Sequence, residues 1–355
     1  MFEKIDIIIP QYNETEDEVR PLLSSIANQV GISKDLIKVT IVNDHSQWKL
    51  SNGFLSSFGL DITYLETPEN GGAGMARQWG IDHTSNPLIM FCDADDRLFD
   101  CAALLNLYNA MRLNNAKNNK WTLLTSSFYE EQIIGEKGYN LVEHNKPTMI
   151  WMHGKVFRRD FIEKYNIRFL PGLRTFEDTF FGKLYTILCP QMEQIHCNYY
   201  TYFWKRNPKS ITSNWNHDGK DYLFWNNNDY IMCNRNLIAQ LVEKDPKNSK
   251  IIELIWVNLF FIFFMLQFKE FNDENEDTIT KRDALIKFFL EIVSNYSEYI
   301  IKTPMGKRAG IYHSVYCDMP RYRFYVERIT WHGFIKILRN IIGDQIDLSC
   351  LLIQD

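Results

Sequence analysis

Short apolar runs alternate with amphipathic segments over the first hundred residues. The apolar runs have the length and composition of buried strands: Ile5–Ile9, Leu36–Val42, Asp61–Glu66 and Leu88–Cys92. Between them, polar and apolar residues recur at helical spacing in Glu16–Gln29 and Gly74–His83. This order of strands and helices predicts a mostly parallel sheet covered by helices, which is a Rossmann-like α/β fold.

The hydrophobic pattern changes beyond residue 215. Leu123–Phe128 and Cys197–Trp204 are still β-prone, whereas Thr148–Tyr165 predicts a strand or loop that runs into a helix. Beyond residue 215 the pattern predicts long helical segments that are rich in aromatic residues. We therefore predict an α/β domain at 1–215 and a mainly helical region at 216–355.

One long apolar stretch tests whether the chain crosses a membrane. Residues 251–268 form an 18-residue run that is interrupted by Glu253, Asn258 and Gln267. The run is near the lower length limit for a spanning helix, and polar residues are costly within a bilayer. The pattern favours a buried core or interface helix over a stable transmembrane span.

Composition and charge narrow the class of protein further. The 355 residues carry a net charge of −5, so no overall positive field indicates nucleic acid. Seven cysteines occur without a CxxC pair, which predicts reduced thiols rather than a disulfide framework or a zinc site. No basic segment followed by an apolar one precedes the first strand. We expect a cytoplasmic protein, either free or peripheral at the membrane.

Three carboxylates follow the apolar run that begins at Leu88. Asp93, Asp95 and Asp96 cannot lie inside a buried strand, because unpaired buried charge is too costly. They should lie at the carboxyl edge of the sheet, where open α/β sheets bind ligands. Crowded carboxylates suit a divalent cation, Mn²⁺ or Mg²⁺, on a substrate phosphate. The alternative is an acidic turn before a helix at Asp100–Asn114.

Three other polar pieces follow apolar runs in the same part of the chain. In order, the four pieces are Pro10-Gln11-Tyr12-Asn13-Glu14, Asn43-Asp44-His45-Ser46, Asn70-Gly71-Gly72-Ala73-Gly74-Met75-Ala76-Arg77 and Asp93-Ala94-Asp95-Asp96. Their order and spacing resemble the P-x-YNE, D-D-x-S, N-x-G-x-x-x-A-R and D-x-D-D segments of family 2 glycosyltransferases. The resemblance covers residues 1 to about 215 and implies the GT-A fold.

The residue types suit a nucleotide diphosphate. Tyr12 offers an aromatic face, and Glu14 and Asp44 offer acceptor oxygens for a base or ribose. Glycines at a helix N-terminus permit close approach of a phosphate, and Arg77 adds a positive fork. Asn43 departs from the usual Asp of the family, which leaves Asp44 as the expected contact.

The resemblance also implies roles for the site residues. Asp93 would meet the ribose, Asp95 would hold the metal, and Asp96 would support that site or touch the sugar. Lys205 and Arg206, in a segment that often closes over the diphosphate, would neutralise the leaving group. The predicted donor-binding residues are Pro10, Tyr12, Glu14, Asp44, Gly72, Arg77, Asp93, Asp96, Lys205 and Arg206.

A second acidic piece resembles the E-D segment that carries the general base of inverting members. Asp178 would be the base, and Glu177 would orient it or bind the acceptor. The alternative is an ordinary helix N-terminus with favourable acidic residues. Trp151 and His153 lie where the family lines its acceptor pocket, although His153 is equally consistent with a structural histidine.

The carboxyl-terminal part contains a basic, aromatic segment. Residues 302–339 hold eight basic and two acidic residues, a net charge of +6. Such a segment suits a polyanion, namely DNA, a phosphate-rich glycan or an anionic membrane. The alternative is a solvated helical face over packed aromatic side chains.

These observations and the resemblance predict an inverting, metal-dependent glycosyltransferase that moves a sugar from a nucleotide diphosphate to a surface glycan. We expect the nucleotide to be UDP. One alternative acceptor is a hydroxylated nucleobase in DNA. A nucleotidyltransferase would need a glycine-rich basic loop after the first strand, where the chain has Gln11-Tyr12-Asn13-Glu14. A non-catalytic glycan-binding or scaffold protein should have lost Asp95 or Asp178, and both are present.

Overall fold

The first two strands pair in parallel and set the direction of the sheet. β1, Ile5–Gln11, lies beside β2, Ile37–Asn43, with Ile5 opposite Ile37. All residues of β1 are buried, as expected for a strand covered on both faces.

The computed structural model describes residues 2–116, 120–134, 138–207, 226–267, 274–318, 335–336, 338–340 and 351. The chain divides into two units, residues 1–214 and 215–355.

The first unit alternates strands and helices. Its remaining strands are β3 Asp61–Glu66, β4 Leu88–Phe91, β5 Arg97–Leu98, β6 Leu123–Ile134, β7 Gly138–His144, β8 Lys155–Arg158 and β9 Gln194–Trp204. Its helices are α1 Glu16–Ala27, α2 Asn52–Ser56, α3 Ala73–Asp82, α4 Ala103–Ala116, α5 Arg159–Lys164 and α6 Glu177–Leu188. The short elements β5 and α2 were not predicted, because they carry too few residues to show a hydrophobic period. β7 was not predicted either, because its side chains are mostly exposed and form no buried face.

One sheet joins all these strands in the order β3-β2-β1-β4-β8-β6-β9-β5, with β7 on β6. β3, β2, β1 and β4 are parallel, and β6 and β9 are parallel. β8 runs antiparallel to both β4 and β6, which joins these two parallel regions. The predicted α/β architecture with a largely parallel central sheet is confirmed.

Apolar residues cover both faces of this sheet. On one face, Ile7, Val39 and Met90 belong to a buried cluster with α1 and α4 residues such as Leu23 and Leu107. On the other, Phe157 of β8 packs its ring against α6, with centroids 5.6 Å from Phe181 and 4.9 Å from Tyr185. α6 therefore lies against β8.

The described part of the second unit is helical, as predicted. Its helices are α7 Asn227–Lys244, α8 Ser249–Met265, α9 Glu276–Asn295, α10 Ser297–Ile301 and α11 Met305–Asp318. α8 corresponds to the long apolar stretch, and most of its side chains are buried, including the fully enclosed Trp256. No helix within the described ranges combines the length and the hydropathy needed to cross a bilayer.

Candidate active site

Asp44 organises the glycine turn that follows β3. Its carboxylate accepts the backbone N–H of Gly71 over 2.9 Å and that of Gly72 over 2.7 Å. Gly72 has φ of 86°, a conformation that glycine adopts without strain, and α3 begins at the next residue. Asp44 is only 2% exposed. Its oxygens thus shape the N-terminus of α3, which is the anion-favouring end of that helix.

The turn after β1 folds a carboxylate back onto the backbone. The Tyr12 N–H donates to Glu14 Oε2 over 2.6 Å, and Asn13 between them has a left-handed φ of 65°. Tyr12 is 53% exposed and so presents its ring to solvent, whereas Pro10 is buried within β1. Burial raises the pKa of Glu14 to about 7, and the charges of Asp95 and Asp93 act in the same direction. The β1 turn is therefore close to the Asp93–Asp96 carboxylates.

Arg77 joins the Asp93–Asp96 piece to the start of α6. Its guanidinium donates to Asp93 Oδ1 over 2.6 Å and to Glu177 Oε1 over 3.0 Å. The Arg77 side chain is 5% exposed, so both ion pairs are largely screened from water. Burial alone would raise the pKa of Asp93, but Arg77 and His153 outweigh it and hold that pKa well below its usual range. Two of the predicted donor residues and one predicted catalytic residue are thus brought together.

Asp96 is the buried member of the carboxylate cluster. It is 1% exposed, and it accepts hydrogen bonds from the Tyr202 hydroxyl over 2.6 Å and the Lys205 N–H over 2.8 Å. The same Tyr202 hydroxyl accepts the Asp93 N–H over 3.0 Å. Burial, followed by the charges of Asp93 and Asp95, raises the pKa of Asp96 well above its ordinary value. A nearby cation would relieve this repulsion and favour the ionised form.

The described residues contain one group of three side chains that could hold a metal ion. The ligand atoms of Asp93, Asp96 and His153 all lie within 4.8 Å of one another. His153 Nε2 is 3.7 Å from Asp93 Oδ2 and 3.8 Å from Asp96 Oδ2. Asp95, the metal ligand expected from the family resemblance, is half-buried and accepts the Asn207 side-chain amide over 2.8 Å. Asp95 is therefore outside the group of three, although it is adjacent to Asp96 in sequence.

Aromatic rings surround His153. Its ring stacks on Tyr202, with centroids 5.0 Å apart, and contacts Trp204 at 4.8 Å. Trp151 packs against Trp204 at 5.8 Å and against Phe128 at 5.8 Å. These contacts fix the imidazole beside the carboxylates. The two residues predicted to line an acceptor pocket, Trp151 and His153, thus share one aromatic wall that is joined to the acidic cluster.

The N-terminus of α6 carries the predicted base. Phe176 adopts a left-handed φ of 64° before the helix begins at Glu177. Asp178 Oδ1 accepts its hydrogen bond from the Thr179 N–H over 2.5 Å. Burial raises the pKa of Asp178, and Arg77 opposes that rise. Burial and then the charge of Asp178 raise the pKa of Glu177 to about 7. In this arrangement Glu177 pairs with Arg77.

α3 and α6 approach each other closely at this point. A Cβ added to Gly74 would lie 2.9 Å from both Cβ and Cγ of Glu177, which is closer than side chains tolerate. Glycine at this position therefore lets the first turn of α3 reach Glu177. The predicted phosphate-binding turn and the predicted base helix are in direct contact.

A lysine lies on the strand beside this helix. Lys155, the first residue of β8, is 1% exposed, and its Nζ has no hydrogen-bond partner among the described residues. Burial lowers the pKa of Lys155 to about 7, and the negative charge of Asp178 opposes that fall. In the sequence, Lys155 lies two residues after the predicted acceptor residue His153, and no role was predicted for it.

The positive charges expected further along the chain are only partly described. Lys205 is exposed and Arg206 is half-buried. Burial raises the pKa of Asp95, and the charge of Lys205 opposes that rise. Of the basic segment 302–339, the residues 319–334 lie outside the described ranges, including Arg321, Arg323 and Arg328. Arg308 is buried, donates to the carbonyls of Thr303 and Ile300, and stacks over Trp256. This arginine therefore has an internal structural role.

Three further residues of the site escaped the sequence analysis. Tyr202 and Asn207 hold Asp96 and Asp95, and Arg174 donates to the Asn70 side chain over 2.6 Å and to its carbonyl over 3.1 Å. Tyr202 begins the piece Tyr202-Phe203-Trp204-Lys205-Arg206, which resembles the family's segment after the base, but only Lys205 and Arg206 were given roles there.

Comparison with known proteins connects this geometry to a family. The profile of glycosyl transferase family 2 matches residues 6–166, which include all four strand-end pieces. Poly(ribitol-phosphate) beta-N-acetylglucosaminyltransferase TarP of Staphylococcus aureus is 27% identical over 184 residues, which cover 51% of this chain and 51% of TarP. Teichoic acid poly(glycerol phosphate) polymerase of Staphylococcus epidermidis is 27% identical over 185 residues, which cover 49% of this chain and 25% of the polymerase. The matched region thus spans about half of TarP and a quarter of the polymerase.

Solved structures extend the likeness of the fold to most of the chain. The crystal structure of residues 1–349 of Staphylococcus aureus TarS in complex with UDP-GlcNAc superimposes with a TM-score of 0.62. The match covers 92% of this chain and 94% of that chain at 15% identity, so it concerns the fold. Together with the matched profile, it shows that the first unit has the GT-A fold and confirms that residues 6–166 resemble glycosyl transferase family 2.

Proposed function

We propose that this chain transfers a sugar, with inversion, from a UDP-sugar to a hydroxyl group of a phosphate-rich glycan of the teichoic acid type. The observation that carries the proposal is the pair of ion pairs made by Arg77 to Asp93 and Glu177. It joins the strand-end carboxylates to the helix that bears Asp178. A donor bound at the strand-end carboxylates and an acceptor bound beside Asp178 would then be adjacent.

The donor half of the site is proposed from the turns at the sheet edge. Tyr12 presents an exposed ring on which a uracil can stack, and Glu14 faces the same acidic cluster. Asp44 and Gly72 shape the turn before α3, and the N-terminus of that helix favours a diphosphate. Lys205 and Arg206 follow β9 and supply positive charge where the leaving diphosphate develops negative charge.

A divalent cation fits this donor half. Oxygen ligands from Asp93 and Asp96 and a nitrogen from His153 suit Mn²⁺, and the crowded, buried carboxylates are stabilised by a cation. Asp95, which is half-buried beside them, is available to the diphosphate-bound ion as the family resemblance implies. When bound, Mn²⁺ or Mg²⁺ would neutralise charge on the diphosphate oxygens.

The acceptor half of the site needs a base. Asp178 lies in the first turn of α6, and burial raises its pKa, which makes its carboxylate a stronger base. The attacking hydroxyl would lose its proton to Asp178 as the oxygen bonds to the anomeric carbon and the bond to UDP breaks. Glu177, paired with Arg77, holds the helix end in place for this step.

The proposed acceptor class comes from the relatives. TarP is named for poly(ribitol phosphate), and the second relative for poly(glycerol phosphate). TarS was crystallised with UDP-GlcNAc, which supports a UDP-linked amino sugar as the donor. The DNA alternative depended on the basic segment, whose Arg321, Arg323 and Arg328 lie outside the described residues. No described residue favours it.

Incubation of the full chain with radiolabelled UDP-sugars tests this function. UDP-GlcNAc, UDP-GalNAc and UDP-glucose would each be supplied with Mn²⁺ and either poly(ribitol phosphate), poly(glycerol phosphate) or a neutral polyol chain of the same length. We expect label in one of the phosphate polymers, loss of transfer with EDTA, and a β-linked product from an α-linked donor. Label in none of the polymers, or a retained anomeric configuration, would contradict the proposal.

A further inference from the structure

The direction of the Lys155 side chain follows from its strand. Residues two apart in a strand point to the same face, so Lys155 and Phe157 of β8 face the same side of the sheet. That side is covered by α6, because the Phe157 ring contacts Phe181 and Tyr185 of that helix. Lys155 therefore faces the layer that α6 forms.

The register between β8 and α6 places Lys155 near the helix N-terminus. The Arg158 N–H donates to the Tyr185 hydroxyl over 3.0 Å, so higher residue numbers in β8 match higher numbers in α6. Two residues back along a strand cover about 6.6 Å, and three residues back along a helix cover about 4.5 Å. Because the Phe157 ring contacts both Phe181 and Tyr185, the same step back along α6 leads from Lys155 to the segment between Glu177 and Phe181, which contains Asp178. Asp178, Phe181 and Tyr185 also share one helix face, at spacings of three and four.

The amine of Lys155 is otherwise unexplained. It is enclosed, and none of the described residues accepts a hydrogen bond from its Nζ. A buried polar group without a partner destabilises a fold, and a methionine of similar length would fill the same space at lower cost. The negative charge of Asp178 acts on this amine. The position therefore carries a polar group that the packing of the first unit does not require.

We propose that Lys155 is the positioning residue of Asp178: its amine donates to the Asp178 carboxylate through one buried water and orients it toward the acceptor. The Thr179 N–H already holds Asp178 Oδ1 from within α6. The Thr179 hydroxyl also donates to Oδ1, over 3.3 Å. A further donor on the β8 side fixes the rotation of the carboxylate about its own bond, so that Oδ2 faces the incoming hydroxyl. This inference rests on the proposed function, because it assumes that Asp178 takes the acceptor proton.

The experiment measures transfer and stability together in the full chain. In Lys155→Met we expect kcat for transfer to fall about 10- to 100-fold, since small displacements of a catalytic group have effects of this size. The KM for the UDP-sugar and the affinity for UDP should stay within about twofold, because donor binding uses other residues. The melting temperature should stay the same or rise. The matched control is Lys164→Met, an exposed lysine on α5, which should leave kcat unchanged.

A second experiment, in the Asp178→Asn variant, separates a positioning role of Lys155 from a purely structural one. In an Asp178→Asn chain, adding Lys155→Met should not lower the residual transfer further, because the two residues act as a unit. Equal effects in both backgrounds, a marked fall in melting temperature, or wild-type kcat in Lys155→Met would each overturn this inference alone. Failure of the wild-type chain to transfer any UDP-sugar would overturn the proposed function, and this inference with it.

Discussion

Arg77 Nη1 donates to Glu177 Oε1 over 3.0 Å, although the two residues are 100 positions apart in the sequence. The other terminal nitrogen of Arg77 lies 2.6 Å from Asp93 Oδ1. Since the Arg77 side chain is 5% exposed, both carboxylates depend on it for charge compensation. The arginine that the sequence assigned to the diphosphate thus joins the two halves of the site from within.

Substitution of Arg77 should destabilise the first unit strongly. In Arg77→Met, Asp93 and Glu177 lose their buried partner, and removal of one member of a buried pair typically costs about 3–5 kcal/mol. Urea unfolding followed by far-UV circular dichroism measures this loss. Adding Glu177→Gln to Arg77→Met should restore part of the stability, because one uncompensated charge is removed.

An exposed pair in the same unit provides the control for Arg77. Lys49 and Glu66 form an ion pair in which both side chains are well exposed, and such pairs contribute little. Lys49→Met should hardly change the urea midpoint. Equal midpoints for Arg77→Met and the wild type would show that the buried pairs do not hold the site together.

Metal binding should depend on the Asp93–Asp96 cluster and on His153. We expect Asp96→Asn and His153→Gln each to weaken Mn²⁺ binding in the presence of UDP by about tenfold or more, as changes at metal sites commonly do. Asp95→Asn tests the ligand expected from the family resemblance, and the same loss is expected there. Isothermal titration calorimetry with Mn²⁺ and UDP gives these affinities.

Asp100 is the matched acid for the metal experiment. It lies four residues beyond Asp96, and the Tyr199 hydroxyl donates to its carboxylate over 2.7 Å. Asp100→Asn should leave the Mn²⁺ affinity unchanged. If all three site variants bind Mn²⁺ as tightly as the wild type does, the cluster is not a metal site.

Glu14 should make the stability of the first unit depend on pH. Burial raises its pKa from 4.5 to about 7 in the folded chain, so the folded state holds this proton more tightly than the unfolded state. Stability is then highest below pH 4.5 and falls as the pH rises to about 7. Each pKa unit corresponds to about 1.4 kcal/mol, so a rise in the pKa from 4.5 to about 7 gives a fall of at most about 3.5 kcal/mol.

Glu14→Gln should remove this part of the pH dependence. Urea midpoints of the wild type and the variant, measured without metal at pH 5 and pH 8, give the comparison. We expect the wild type to lose more stability than Glu14→Gln between these values. Parallel losses in the two chains would mean that Glu14 ionises normally in the folded state.

The sequence predicted the parts of the site that depend on local pattern. Asp44, Gly72 and Asp93 each follow a strand of the parallel region, and the carboxyl ends of parallel strands share one edge of the sheet. An apolar run followed by a polar cluster is therefore enough to place them together. The apolar composition of residues 251–268 likewise predicted the buried helix α8.

The sequence could not predict contacts that depend on the antiparallel strand β8 and on β9. Tyr202 reaches Asp96 because β9 pairs with β6 and β5 across the sheet, and Lys155 reaches α6 because β8 lies between β4 and β6. Hydrophobic periodicity gives the face of a strand but not its neighbours. The engagement of Arg77 by two carboxylates likewise depends on a contact between α3 and α6 that no local pattern encodes.

The most direct test of the proposed mechanism measures transfer and UDP affinity together in Asp178→Asn. Asparagine keeps the size of the side chain but cannot take a proton, and loss of a general base typically lowers the rate by about 10²–10⁴-fold. We expect such a fall in the transfer of sugar to the phosphate polymer, with the affinity for UDP and Mn²⁺ near that of the wild type, and partial activity in Asp178→Glu. Transfer by Asp178→Asn at the wild-type rate would contradict the assignment of Asp178 as the base and the mechanism built on it.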